Sequence, residues 1–274
     1  MELRRPSKGV LAIALVVVAL IAAAAVAFGR QHAAVDARPQ GARPKLMLLT
    51  SLPLVFGEQF GLQTGGSKAL EALETRYIVV PIGSTNRGEL SRARLLLMAH
   101  PLAQTAEDLV ELDRWVRAGG RLLLLADPML VWPSERPLGD KLRPPLSFAD
   151  TGLLRHWGVR LDAPEQSGPV QRTLGGATIV AGSPGSLVST QCAVEGSGFV
   201  ARCKVGRGRV TVVADADFVN VEGPGALDGP TDRNLDALLS ELDAALGGVA
   251  VIRMTNRLIH RVDHKEQAKN KPAN

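Results

Sequence analysis

Residues 94–128 read RLLLMAHPLAQTAEDLVELDRWVRAGGRLLLLADP. Two runs, 94–99 and 121–126, are apolar throughout after a leading arginine, and each stops at a proline pair, His100-Pro101 and Asp127-Pro128. Runs this short, apolar and cleanly ended predict strands buried on both faces. The stretch between them, 105–118, predicts a helix. Thr105 with Asp108 makes a variant capping box, and Glu107 and Asp108 place negative charge in the first turn. Leu109, Leu112, Trp115 and Val116 form its apolar stripe, and Gly119-Gly120 ends it. Strand, helix, strand with short joints is a βαβ unit, so the sheet is expected to be parallel and covered on both faces.

Outward from this unit, 45–51 (KLMLLTS) and 77–82 predict two more strands, with a helix over 68–74 between them. Residues 129–145 form a proline-bearing stretch without periodicity, too long for a plain connection, and predict an insertion or a lid. A short helix is expected over 150–157. Residues 170–213, rich in Gly and β-branched types, predict antiparallel hairpins that end in the strand 209–214 (RVTVVA). The last helix is expected over 232–246, with Leu235, Leu238, Leu239, Leu242 and Leu246 on one side.

The ends differ from the middle. The chain has 274 residues and a net charge of +5, and the excess sits at the termini: Arg4, Arg5 and Lys8 at the start, and six Lys or Arg against two acidic residues over 253–274. The high pI is therefore no sign of a nucleic-acid-binding core. Aromatic residues, 4% of the chain, are too few for a base-stacking surface. Residues 9–28 (GVLAIALVVVALIAAAAVAF) carry no charge. A helix of this length spans roughly 30 Å, a bilayer core, and the basic residues before it favour a cytoplasmic N-terminus. The other reading is a cleaved signal peptide ending near Ala25-Val26-Ala27. Residues 29–44 read as a linker, 45–248 as one soluble domain on the periplasmic side of an inner membrane, and 249–274 as a basic tail. Arg253, Arg257 and Arg261 recur at helical spacing in that tail, as a solvated end or as a lipid-surface helix.

Cys192 and Cys203 flank the turn at 195–198 and are expected to face each other across a hairpin, as a disulfide or as two free thiols. No metal-type Cys/His spacing, cofactor fingerprint or Gly-x-Ser-x-Gly elbow is present, and neither a metal nor a cofactor is expected. Gly65-Gly66-Ser67-Lys68 lacks the full phosphate-loop spacing and reads as a helix-capping loop. The informative pattern is at strand ends. Ser51, His100, Asp127, Asp215 and Asp217 each follow an apolar strand, and ligands of parallel α/β sheets bind outside the carboxyl ends of the strands. His100 and Asp127 are a candidate proton-transfer or hydrogen-bonding pair; the plainer reading makes them strand terminators and turn caps.

The block 95–130 resembles a signature of the GldG-type auxiliary components of ABC transport systems. It is carried by Pro101-Leu102, Glu107, Leu112-Asp113, Trp115-Val116, Gly119-Gly120 and Asp127-Pro128, with 206–219 (GRGRVTVVADADFV) and Asn234 further on. The resemblance implies an extracytoplasmic domain of class I glutamine amidotransferase-like fold, with permease and ATPase partner subunits. Where an amidotransferase carries its cysteine, this chain has Asp127-Pro128, so thioester chemistry is not expected. The expected fold is thus α/β: a parallel-sheet sandwich of amidotransferase-like type with an antiparallel hairpin extension, preceded by one transmembrane helix. The expected function is a non-catalytic, membrane-anchored binding module of an ABC-type or envelope system. The alternatives are a hydrolase using a His/Asp site at the strand edge, and a structural envelope protein.

Overall fold

The structure is a computed structural model, described here over residues 35–57, 66–223 and 225–247. The expected anchor at 9–28 and the basic segment 249–262 lie outside these residues.

Among the described residues eleven strands are formed: β1 Lys45–Thr50, β2 Ile78–Pro81, β3 Leu95–Ala99, β4 Arg121–Leu125, β5 Val159–Asp162, β6 Pro169–Leu174, β7 Ala177–Gly182, β8 Ser186–Ser189, β9 Ala193–Glu195, β10 Val200–Val205 and β11 Gly208–Val213. The helices are α1 Lys68–Arg76, α2 Arg87–Leu90, α3 Ala106–Arg117, α4 Leu153–His156 and α5 Asn234–Leu246. The main sheet has the order β2-β1-β3-β4-β11-β10-β9. Its strands are parallel from β2 through β11, then β10 runs antiparallel to β11 and β9 antiparallel to β10. Two small antiparallel pairs, β5 with β8 and β6 with β7, stand beside it.

The apolar runs of the sequence become the core. Leu46, Met47, Leu95–Ala99 and Leu122–Leu125 are buried in the middle strands. The crossovers β1-α1-β2 and β3-α3-β4 run in opposite directions along the sheet, so right-handed connections place α1 and α3 on opposite faces. The strand order therefore reverses between β1 and β3. In sheets of this kind that reversal opens a crevice at the carboxyl edge.

Local chemistry fixes α3 as the sequence implies. The Thr105 hydroxyl accepts from the Asp108 N–H at 3.2 Å, and Leu112 and Val116 are buried. Gly120 follows because the Trp115 ring lies 2.4 Å from where a Cβ would stand. Arg121 then opens β4.

The expected fold class needs correction. Of the hairpin strands, β9 and β10 are not an extension: β10 pairs with β11 along its whole length and so continues the main sheet, while β6 and β7 form a separate pair. The packing reason lies in Val200, Ala201, Cys203 and Val205, which are all buried and give β10 an inner edge that a peripheral hairpin lacks. Among the described residues no helix is long and apolar enough to cross a membrane. Among the described residues the main sheet is one mixed seven-stranded sheet, and the expected transmembrane helix at 9–28 falls outside them.

Cys192 and Cys203 form a disulfide, with a sequence separation of 11. It ties the start of β9 to β10 at the edge of the sheet. Closing a loop of this size restricts the unfolded chain, so replacing both cysteines by serine is expected to lower stability by about 2–3 kcal/mol. Urea unfolding of the oxidised protein and the double variant checks this.

Candidate active site

Four of the five strand-end residues meet at one place. His100 follows β3, Asp127 follows β4, and Asp215 and Asp217 follow β11, all at the carboxyl edge of adjacent strands. All four are buried. One carboxylate oxygen from each of the three aspartates lies within 4.8 Å of the others. Ser51, after β1, is half-buried and reaches the group indirectly: its hydroxyl donates to the His100 carbonyl.

The aspartates are first of all loop organisers. Asp127 Oδ1 accepts from the Met129 N–H at 2.8 Å, and its Oδ2 accepts from Ala216 at 2.8 Å and Asp217 at 3.3 Å. Asp215 accepts from Gly182 and Phe218, each at 2.9 Å. Asp217 Oδ2 accepts from Val131 at 2.9 Å. These bonds satisfy N–H groups that leave the ends of three strands with no ladder partner. Gly182 is required by the same packing, because a Cβ there would stand 2.8 Å from the Asp217 Cβ.

Two buried polar atoms of the group have no hydrogen-bond partner: Asp217 Oδ1 and His100 Nδ1. The other ring nitrogen, His100 Nε2, bonds the Pro145 carbonyl at 2.7 Å. A carbonyl only accepts, so Nε2 carries the proton and a neutral ring leaves Nδ1 as a bare acceptor. His100 also has φ +46°, a left-handed conformation rare outside glycine and disfavoured before proline. Such strain costs on the order of 1–3 kcal/mol and collects at functional sites.

The electrostatics separate the two unpartnered groups. Burial raises the Asp217 carboxyl, helped by the charge of Asp127, to about 8. Burial lowers His100 from its ordinary value, against the opposing effects of the Pro145 carbonyl and the Asp127 charge. Asp215 is pushed well above the usual range by complete burial and by both neighbouring aspartates. At neutral pH the group therefore holds a protonated carboxyl at Asp217 and an unprotonated imidazole at His100. With five of the six carboxylate oxygens already accepting backbone N–H groups, a proton suits the cluster better than a cation does.

A roof and a cleft complete the site. Residues 128–147 arch over the cluster, closed at the neck by Phe148 N–H to the Asp127 carbonyl at 2.6 Å and Leu130 N–H to the Leu146 carbonyl at 2.9 Å. The arch exposes Leu138, Leu142 and Leu146. Beside it, at the ends of β1 and β2, opens a cleft of about 530 Å³ lined by Thr50, Ser51, Phe56, Ile82, Arg136 and Pro144, among others. Ser51 bonds the His100 carbonyl and Pro144 precedes Pro145, whose carbonyl accepts from the ring, so the cleft and the buried group share a wall. The Pro145 carbonyl and the Arg136 side chain are the site elements that the sequence did not reveal. A main-chain carbonyl has no residue-type signature, and nothing in the spacing of 129–145 marks Arg136.

No family model matches this chain, and no curated protein does. Solved structures do align. The exo-β-1,4-mannosidase Op5Man5 from Opitutaceae bacterium strain TAV5 aligns at 18% identity and a TM-score of 0.42, over 74% of this chain and 36% of that one. A β-galactosidase from Bacillus circulans sp. alkalophilus aligns at 16% identity and 0.43, over 78% and 32%. The cytoplasmic protein STM1381 from Salmonella typhimurium LT2 aligns at 9% identity and 0.46, over 73% and 99%. The chain thus spans about a third of the glycosidases' length. Similarity this low transfers no activity. With no family model and no curated relative behind it, the expected GldG-type kinship is withdrawn. The ABC-type accessory role and the non-catalytic character, which rested on that kinship, go with it; the membrane-anchored, periplasmic location was read from residues 9–28, which lie outside the described residues, and among those described no helix is long and apolar enough to cross a membrane.

Proposed function

We propose that the chain is a hydrolase whose acid and base are Asp217 and His100. One observation carries the reading. Two buried groups at the carboxyl edge of the sheet each keep one polar atom without a hydrogen-bond partner, and their environments push their pKa values in opposite directions from the ordinary ones. Titratable pairs separated in this way are how one site keeps an acid and a base ready at neutral pH. In the reaction, His100 Nδ1 takes a proton from water while its oxygen attacks the scissile centre. Asp217 gives its proton to the leaving group as that bond breaks. The proton on His100 then returns to Asp217 through solvent, which restores both groups. Asp127, held by three N–H groups, orients the site without bonding to substrate.

The largely apolar cleft with Thr50, Ser51 and Arg136 at its polar points fits a substrate with an apolar body and one polar head. Access to the buried pair requires the 128–147 arch to lift. The test is a panel of chromogenic esters, glycosides and phosphate esters offered to the full-length protein and to His100→Gln and Asp217→Asn. Turnover of one class, lost by at least about a hundredfold in either variant with thermal unfolding still cooperative, supports the reading. No turnover of any class by the folded wild-type protein, or undiminished turnover in both variants, overturns it.

A further inference from the structure

The opposite edge of the sheet carries a second feature, independent of the hydrolase reading. Arg94 precedes β3, Arg121 opens β4, Arg207 lies in the turn between β10 and β11, and Arg209 follows in β11. The parallel register sets Arg209 directly beside Arg121. A cavity of about 310 Å³ lies here, lined by Arg94, Ala118, Gly119, Arg121, Arg207 and Leu246. Like charges on neighbouring strands repel and cost stability unless something neutralises them. Among the described residues, no carboxylate forms an ion pair with any of these four guanidinium groups. Elsewhere Arg38, Arg76, Arg92, Arg114, Arg117, Arg160 and Arg202 are all paired with acids.

The arginines are not needed as helix caps either. The last carbonyls of α3 are already taken by backbone N–H groups: Arg114 by Ala118, Trp115 by Gly120, Val116 by Gly119 and Arg117 by Arg207. Arg121 Nη1 donates to the Arg207 carbonyl at 3.1 Å, which holds its guanidinium toward the turn. Gly119, at φ +117°, keeps the space beside Arg94, whose Nη2 stands 3.2 Å from where a Cβ would be. Partial burial, together with Arg209 and Arg94, lowers the affinity of Arg121 for its own proton, which marks a field that an anion would relieve.

We propose that this arginine cavity binds a phosphate-class oxyanion, with Arg94, Arg121 and Arg207 as its donors. Guanidinium groups give the paired, planar donors that phosphate oxygens accept, and several around one cavity favour a dianion over a carboxylate. The phosphate belongs either to a free phosphoryl compound or to a lipid headgroup. The experiment titrates full-length protein with pyrophosphate by calorimetry, and separately with phosphatidylglycerol vesicles by co-sedimentation. Wild type is compared with Arg121→Gln, Arg207→Gln and a control, Arg160→Gln, from an exposed pair on β5. Binding of either probe that weakens at least about tenfold in Arg121→Gln and in Arg207→Gln, but not in the control, supports the site. Pyrophosphate binding identifies a free phosphoryl ligand, and vesicle binding alone identifies a headgroup. Absence of saturable binding to both probes, or equal weakening in all three variants, overturns it. The hydrolase assay does not enter, so either result leaves the edge with His100 to stand or fall by its own test.

Discussion

Asp127→Ala is expected to lower stability by about 3–5 kcal/mol, the largest effect of a single substitution at the site. The carboxylate is fully buried and holds the N–H groups of Met129, Ala216 and Asp217. Removing it leaves two buried donors, Ala216 and Asp217, and the part-buried Met129 N–H without an acceptor, each buried one costing on the order of 1–3 kcal/mol before relaxation. The loops after β4 and β11 lose their common anchor, and the neck of the 128–147 arch loosens with them. Asp127→Asn keeps one acceptor oxygen but turns an NH₂ group toward an N–H, so it is expected to cost less, about 1–3 kcal/mol. Denaturant unfolding of both variants gives the values. A change of under about 1 kcal/mol for the alanine variant would show that Asp127 does not organise the edge.

Asp217 is expected to make the protein less stable as pH rises from about 6.5 to about 8, by as much as about 1.4 kcal/mol per pH unit. The sign follows from the proton. The folded carboxyl holds its proton up to about 8, whereas its ordinary value is 3.8. In the unfolded chain it is therefore ionised across this range. Folding takes up a proton, its contribution is fully present below the unfolded value, and it is lost as pH rises through the folded one. His100 acts the other way at lower pH. Its folded pKa lies below 6.5, so the unfolded state gains protons as pH falls through that value and stability drops there. Above about 6.5 the imidazole is neutral in both states, and the carboxyls alone set the slope. Asp217→Asn is expected to flatten the slope by one proton's worth and to exceed the wild type in stability at alkaline pH. Unfolding free energies measured at half-unit intervals test this. A variant with the wild-type slope would show that Asp217 ionises normally.

The sequence read the central strands and the long helix from hydrophobic pattern and caps, because 94–128 contains both ends of each element. Strand termini were equally legible, and with them the meeting of His100, Asp127, Asp215 and Asp217, since a parallel sheet aligns carboxyl ends whatever its side chains. Sheet membership at the far edge was not. Whether 200–205 joins the main sheet or a separate hairpin depends on its hairpin partner β11 pairing with β4 at long range, which a local pattern does not encode. Buried charge was equally hidden. Glu241 lies among the leucines of α5 and would pass for a solvated residue. The structure buries it, where it accepts from Gly175 N–H at 2.9 Å and from both Arg202 terminal nitrogens at 2.6 Å. The protonation pattern was legible least of all, because it follows from how many N–H groups each carboxylate receives once the loops have closed.

The most direct measurement is a carbon-13 NMR titration of the aspartate carboxyls in the full-length protein, with Asp217→Asn used to assign the resonance of residue 217. The expected result is a carboxyl that stays protonated through neutrality and titrates near the value of about 8 set by burial and the Asp127 charge. A residue 217 resonance that titrates near pH 4, in the ordinary carboxylate range of about 3.9, would contradict it and remove the acid from the proposed hydrolase.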